Sequence, residues 1–262
     1  MLRESKSRFF ANGRVYSLLT EDDYPVEVTD TFLPFYTKDA IGKKQNTLQN
    51  YNLGSRKERW MVGVSCMSGC PVGCKFCATG QLKKWRKLSA EEIVEQVMFI
   101  LERNPEYSPT ECKEFKINYT RMGEPFLNIE EVKKAISMID EKFPSVHHYI
   151  STIGVSGSDF SWIKENVTLQ ISLHSFDEAN RDWLIPFKKK MSITELGKIR
   201  THSNLKTTLN MTMVSESDFD IEKLKKHFDR DAFFIKLSPI NPNATSDDNH
   251  ISEGVISAKN LV

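Results

Sequence analysis

The stretch Trp60-Met61-Val62-Gly63-Val64-Ser65-Cys66-Met67-Ser68-Gly69-Cys70-Pro71-Val72-Gly73-Cys74-Lys75-Phe76-Cys77 decides how this chain is read. Its first part, Met61 to Val64, is a short apolar run of the kind that forms a buried strand. Its second part crowds four of the five cysteines between Cys66 and Cys77. Thiols that close together do not make a disulfide framework, and they point to metal or redox chemistry. Cys70, Cys74 and Cys77 have the spacing C-x3-C-x2-C. A cubane has four irons to ligate, so three thiolates would leave one iron open. Pro71 and Gly73 suit a tight backbone turn around an inorganic core. With Cys66 added, four thiolates could instead hold a structural zinc, but zinc sites usually combine two separated knuckles. Cys66 and Cys112 read as plain buried thiols.

Downstream of this loop, strands alternate with helices. Ser89-Ala90-Glu91-Glu92 is a capping box, followed by Ile93, Val97, Ile100 and Leu101 at helical spacing. Phe115 to Tyr119 alternates as a strand, and Asn128 and Glu131 open a helix that buries Val132, Ala135, Ile136 and Ile139. Further strands are expected at His148–Thr152, Leu169–Leu173, Leu205–Val214 and Phe233–Leu237, and a second capping box at Ser192 and Glu195. Regular βα alternation implies an α/β fold with a parallel sheet. Six such units fall short of a closed eight-fold barrel, so the expected fold is a partial (β/α)6 barrel. Upstream, Val15–Leu19 and Val26–Thr29 flank a polar turn and read as an N-terminal β-hairpin extension. The expected division is residues 1–59 for the hairpin and a basic loop from Lys38 to Arg59, residues 60–243 for the barrel, and residues 244–262 for a C-terminal tail.

Chemistry in βα barrels gathers at the C-terminal ends of the strands. The unusual residues fall there: Cys70 to Cys77 after the first barrel strand, Gly123 and Glu124 after the second, and Ser151 at the third. Ser172, Leu173 and His174 end the fourth strand, and Asn241 follows the sixth. Taken alone, Gly123 reads as a turn and His174 as a satisfied core histidine; their ordered recurrence is what suggests one shared site.

The 262 residues are 39% hydrophobic and 27% charged, in the range of an ordinary globular domain. No apolar run is long enough to span a bilayer, and Met1 to Lys6 lacks the apolar core of a secretory signal, so a cytoplasmic protein without membrane partners is expected. The net charge of +1 gives no global case for a nucleic-acid partner. Local runs do: Arg56, Lys57 and Arg59, then Lys83-Lys84-Trp85-Arg86-Lys87, then Lys188-Lys189-Lys190. Converged, they would form a basic rim with Trp85 able to stack a base; dispersed, they are solvated faces.

On these residues the chain resembles the radical S-adenosylmethionine (SAM) superfamily and, within it, the RNA adenine methyl synthases of the RlmN and Cfr type. The resemblance lies in Cys74-Lys75-Phe76-Cys77-Ala78-Thr79-Gly80, Met122-Gly123-Glu124-Pro125, Ser151-Thr152-Ile153-Gly154, Ser172-Leu173-His174-Ser175 and Leu184-Ile185-Pro186. It implies a [4Fe-4S] cluster on Cys70, Cys74 and Cys77, with S-adenosyl-L-methionine on its open iron. Gly123 and Glu124 would bind the amino group of the methionine moiety. Ser151 would contact its carboxylate or the ribose, and Ser172, Leu173, His174 and Asn241 would line ribose and adenine. A reductant such as flavodoxin or ferredoxin would supply the electron. No catalytic acid or base is singled out.

The departures bear on the reaction. The family pattern has a cysteine seven positions before the first cluster cysteine, where this chain has Gly63. Its methyl-carrying cysteine has no counterpart after Cys112. A carboxylate of the family's hairpin aligns nearest to Thr29, with Glu27 and Asp30 as neighbours. The expected activity is therefore hydrogen abstraction from a nucleobase, nucleotide or nucleic acid by a 5′-deoxyadenosyl radical, without cysteine-mediated methyl transfer. The alternatives are RNA adenine methyl synthesis and, from another class, a non-catalytic metal-binding protein that binds nucleic acid.

Overall fold

The computed structural model describes residues 1–35, 53–213 and 220–251. In chain order its strands are β1 (Arg3–Phe10), β2 (Gly13–Leu19), β3 (Pro25–Leu33), β4 (Arg59–Val64), β5 (Met67–Ser68), β6 (Arg86–Lys87), β7 (Glu114–Tyr119), β8 (His147–Thr152), β9 (Val167–Ser172), β10 (Thr207–Met213) and β11 (Phe233–Pro239). The helices are α1 (Ala90–Glu102), α2 (Ile129–Lys142), α3 (Glu178–Leu184), α4 (Ile193–Leu196), α5 (Ile221–His227) and α6 (Ala244–Asp248). The chain forms two compact units. The first comprises Met1–Ser68, Lys87–Met122 and Ile129–His148, and the second Gly69–Arg86, Gly123–Asn128 and Tyr149–Val262.

In the first unit the strands follow the order β1-β2-β3-β4-β7. β1, β2, β3 and β4 pair antiparallel in sequence, and β4 pairs parallel with β7. The expected hairpin is β2–β3, and the structure adds β1 on its outer edge. β1 is almost wholly exposed and carries Arg3, Glu4, Lys6 and Arg8; charges of this kind keep an edge strand from recruiting other chains. Alternation places Leu18, Val26, Val28, Val62, Val64 and Ile117 in the core with Ile93, Val97 and Ile100 of α1. The Ser89 hydroxyl accepts from Glu92 N and the Glu92 carboxylate from Ser89 N, so the capping box forms as expected.

In the second unit the order is β8-β9-β10-β11, with β8 entering from the first unit at its His147–His148 end. β9, β10 and β11 pair in parallel. All six expected barrel strands are present, each within a few residues of its expected bounds. The fold is mixed α/β built on parallel strands, and no closed ring of strands forms among the described residues. The second capping box, Ser192 and Glu195, is also present, but opens only the four-residue α4. The expected loop from Lys38 lies outside the described residues as far as Asn52, as does Val214.

Candidate functional site

The cysteine loop belongs to the second unit, and its geometry is set by three polar ties. Lys75 N donates to the Leu184 carbonyl at 2.9 Å, which fastens the loop to the end of α3. The Lys75 carbonyl accepts from Asn249 Nδ2 at 3.2 Å, and the Phe76 carbonyl from Asn243 Nδ2 at 3.0 Å. Asn243 also caps α6, so one side chain starts that helix and holds the loop. Gly73 sits at φ +71 with open space where a Cβ would be, so backbone conformation rather than crowding calls for glycine there. Cys77 N closes a turn on the Cys74 carbonyl at 3.1 Å.

Cys70 and Cys74 pack against a buried apolar cluster of Val72, Ile153, Leu184, Ile185, Ile240 and Ile251. Burial pushes the Cys70 thiol up to about 12 and Cys74 well above its ordinary value, with the neighbouring thiols adding to the rise. Thiols so placed stay protonated unless a cation compensates them, and iron is such a cation. Among the described residues no three ligating side chains converge on a single metal ion. A mononuclear site would need sulfurs roughly 4 Å apart, given metal–sulfur bonds of about 2.3 Å. A cubane takes one thiolate per iron, and three thiolates leave one of its irons open. The donor set and its apolar wall fit an iron–sulfur cluster.

Glu124 follows Gly123, whose φ of +98 lies in the region that favours glycine. The Glu124 carboxylate is buried. It accepts from Thr152 Oγ1 at 2.5 Å, Ile153 N at 2.9 Å and Phe126 N at 3.1 Å. None of these partners is a cation. Burial therefore wins over the hydrogen bonds and raises the carboxyl to about 7.

The remaining expected residues are distributed around neighbouring strand ends. Ser151 on β8 and Ser172 on β9 bring their hydroxyls to 3.4 Å. Leu173 is fully buried. His174 adopts φ +60, and its Nδ1 accepts from Thr212 N at 3.0 Å. Burial, helped by the charge of Arg181, lowers this imidazole to about 3. The ring is neutral with its proton on Nε2, hence a donor at that atom. The Phe76 ring meets it edge-on at 4.8 Å between centroids. Asn241 is exposed, and its carbonyl accepts from Asn243 Nδ2 at 2.9 Å. Thr152, Asn243, Asn249 and Arg181 were not singled out from sequence, although Thr152 lies inside a quoted motif.

In the first unit, Thr29 and Gly63 are directly paired across β3 and β4. A Cβ built on Gly63 would fall on Thr29 Oγ1 and lie 2.9 Å from Arg121 Cδ. Arg121 donates from Nε at 2.7 Å, and also from Nη2, to Glu27 Oε1. Asp30 is buried and accepts from Arg56, Trp60 Nε1 and Asn104 Nδ2. Arg59 pairs with Glu114. Arg56 and Arg59 are thus engaged within the first unit and are not free cations of a basic rim. Cys66 is buried and its thiol donates to the Met122 carbonyl, as expected of a plain core thiol.

Residues 64–228 match the family model described as the radical SAM superfamily. A probable dual-specificity RNA methyltransferase RlmN of Dictyoglomus turgidum is 40% identical over 151 residues, 54% of this chain and 42% of that protein. One of Desulfitobacterium hafniense is 34% identical over 214 residues, 75% of this chain and 58% of that protein. The chain spans about half the length of the curated relatives it matches. The crystal structure of a radical SAM methyltransferase from Sphaerobacter thermophilus shares the fold, with a TM-score of 0.68 over 99% of this chain and 72% of that one at 21% identity. Because the family model covers more than half of the sequence, the chain belongs to the radical SAM superfamily.

Proposed function

We propose that this protein is a radical SAM enzyme that abstracts hydrogen from a nucleobase, nucleotide or nucleic acid without cysteine-mediated methyl transfer. Cys70, Cys74 and Cys77 would hold a [4Fe-4S] cluster. When bound, the cluster and S-adenosyl-L-methionine supply one-electron cleavage to a 5′-deoxyadenosyl radical. The chain's own residues bind and orient. Glu124, fixed by Thr152, Ile153 and Phe126, takes the methionine ammonium, with Gly123 shaping the approach. Ser151 and Ser172 offer hydroxyls to carboxylate or ribose. His174 offers Nε2–H, and with Leu173 and Asn241 lines ribose and adenine. The apolar cluster would wall one side of the thiols. A reductant of the flavodoxin or ferredoxin kind delivers the electron.

The observation that carries the absence of methyl transfer is the environment of Gly63. The family pattern has a thiol there, opposite a hairpin carboxylate. Here Thr29 and the stem of Arg121 fill the place a side chain would occupy. A nucleic-acid type of substrate is supported by the RNA methyltransferase names of the matched relatives and by exposed Trp85 within a basic run.

The test is to purify the protein without oxygen, rebuild its cluster, and add reductant and S-adenosylmethionine with candidate nucleotides and RNA. 5′-Deoxyadenosine without S-adenosylhomocysteine is expected, with deuterium from a labelled substrate appearing in the deoxyadenosine. S-adenosylhomocysteine with a methylated cysteine would establish methyl synthesis instead, the reading favoured by the relatives' names. Tightly bound zinc and no iron would leave the non-catalytic binding protein.

A further inference from the structure

Arg181 on α3 is completely buried, an expensive place for a permanent cation. Nη1 donates to the Met191 carbonyl at 2.7 Å and Nη2 to the Ile153 carbonyl at 2.7 Å. Nε is enclosed and has no hydrogen-bond partner. No described ion pair includes Arg181. The acids on its own helix are engaged elsewhere: Glu178 Oε1 accepts from Ile193 N at 2.6 Å, and Asp182 pairs with Lys190 and is mostly exposed. Glu178 and Asp182 act on the guanidinium only through space, and burial still outweighs them and pulls it below its ordinary value, so further negative charge nearby would be favourable.

The same unit offers such charge. One turn along α3 from Arg181, the Leu184 carbonyl receives Lys75 N, the residue after Cys74. Cys74, Leu184 and Ile153 all belong to or pack on one apolar cluster. Besides Glu178 and Asp182, Cys74 is a charge partner of Arg181. Three thiolates carrying an iron–sulfur core make an anionic group, and it becomes more anionic on reduction. Ile153 links the guanidinium to the neighbouring subsite, since its carbonyl is held by Arg181 and its N–H by Glu124.

Building on the reading of the cysteine loop as cluster-binding, we propose that Arg181 is the built-in counter-charge of that cluster. It is a positioning residue whose fixed positive charge raises the reduction potential, while its Nη donors hold Ile153 and Met191. Net charge and local hydrogen bonding are established levers on cluster potential. The single guanidinium thereby couples the ease of reduction to the segment that supports Glu124.

The experiment compares wild type, Arg181→Lys and Arg181→Met as reconstituted holoproteins. Circular dichroism and iron and sulfide content check folding and loading. An EPR-monitored redox titration without substrate then gives the midpoint potential. Arg181→Lys is expected to stay near wild type. Arg181→Met is expected to shift the reduction equilibrium roughly tenfold toward the oxidised form, about 59 mV for one electron. A fully loaded Arg181→Met with the wild-type potential would overturn the proposal, and so would Arg181→Lys falling as far as Arg181→Met. Should Arg181→Met not load iron, the lysine variant decides: loading at wild-type potential supports the counter-charge, and failure to load assigns Arg181 to structure alone. Failure of the cluster reading is separate, because the wild type itself would then lack the reduced-cubane signal.

Discussion

Glu124 is held by three donors, none of them a cation, and the balance between its burial and those bonds sets two measurable behaviours. Its folded-state value, raised to about 7 from 4.5, means that the stability it allows is fully present below 4.5 and lost as pH rises through 7. Glu124→Gln removes this dependence. In urea melts of ligand-free protein at pH 8, the variant is expected to gain at most about 3 kcal/mol, the equivalent of the full shift, less about 1–3 kcal/mol for the acceptor lost where an amide NH2 faces Thr152, Phe126 N or Ile153 N. Binding should move the other way. Without its anionic partner the methionine ammonium loses a buried charge pair, so S-adenosylmethionine affinity measured by calorimetry should fall about 100-fold or more. His174 contributes the opposite pH limb. Its value, lowered to about 3, makes stability present above 6.5 and lost as pH falls toward 3. Gly63 gives a steric prediction at the same scale. Gly63→Ala should cost about 1–3 kcal/mol, because the added methyl meets Thr29 Oγ1 and Arg121 Cδ. Arg121→Ala in the same chain should recover part of that loss, and a double-mutant cycle by chemical denaturation measures the coupling.

Among the elements, α1 was the most legible, because its start signal and its apolar stripe agree. Ser89 and Glu92 cap each other, and Ile93, Val97 and Ile100 are fully buried at helical spacing. Ser89→Ala should therefore cost about 1 kcal/mol in thermal or urea unfolding. Glu131→Gln, which weakens an acceptor for Ala90 N at the same helix start, should cost less. β1 was missed for a physical reason: an edge strand exposed on nearly every residue has no burial pattern to read. The signal available was Asn12-Gly13, a dipeptide typical of hairpin turns, which here straddles the start of β2. The Ser192–Glu195 box was legible as a helix start but said nothing of helix length. The next apolar positions, Leu196 and Ile199, bury themselves in α4 and the turn beyond it, and no longer stripe follows.

At the scale of the whole molecule, what was readable follows from sequence distance. The cysteines of the loop lie within eight positions of one another, from Cys70 to Cys77, so spacing alone exposed them. The groups that hold the loop reach it from 167 positions away at Asn243 and 174 at Asn249, and Arg181 reaches Ile153 across 28. A single sequence carries no pattern joining such partners, and only the fold brings them together. The same distribution makes a prediction about metal removal. The first unit owes its core to aliphatic and aromatic packing around Trp60, Ile93, Ile117 and Ile139, with Asp30 satisfied internally by Arg56, Trp60 and Asn104. It contains none of Cys70, Cys74 and Cys77, the proposed cluster ligands. The second unit carries all three of them, together with Arg181 and its enclosed, unpaired Nε. Stripping iron from the holoprotein with a chelator under reducing conditions should therefore act locally. Amide hydrogen exchange is expected to accelerate across 69–86 and 181–185, where Lys75 N and the Leu184 carbonyl are joined. Exchange in β2, β3, β4 and α1 should stay at the holoprotein rate. Equal acceleration in both units would mean that the metal supports the entire fold rather than the unit that binds it.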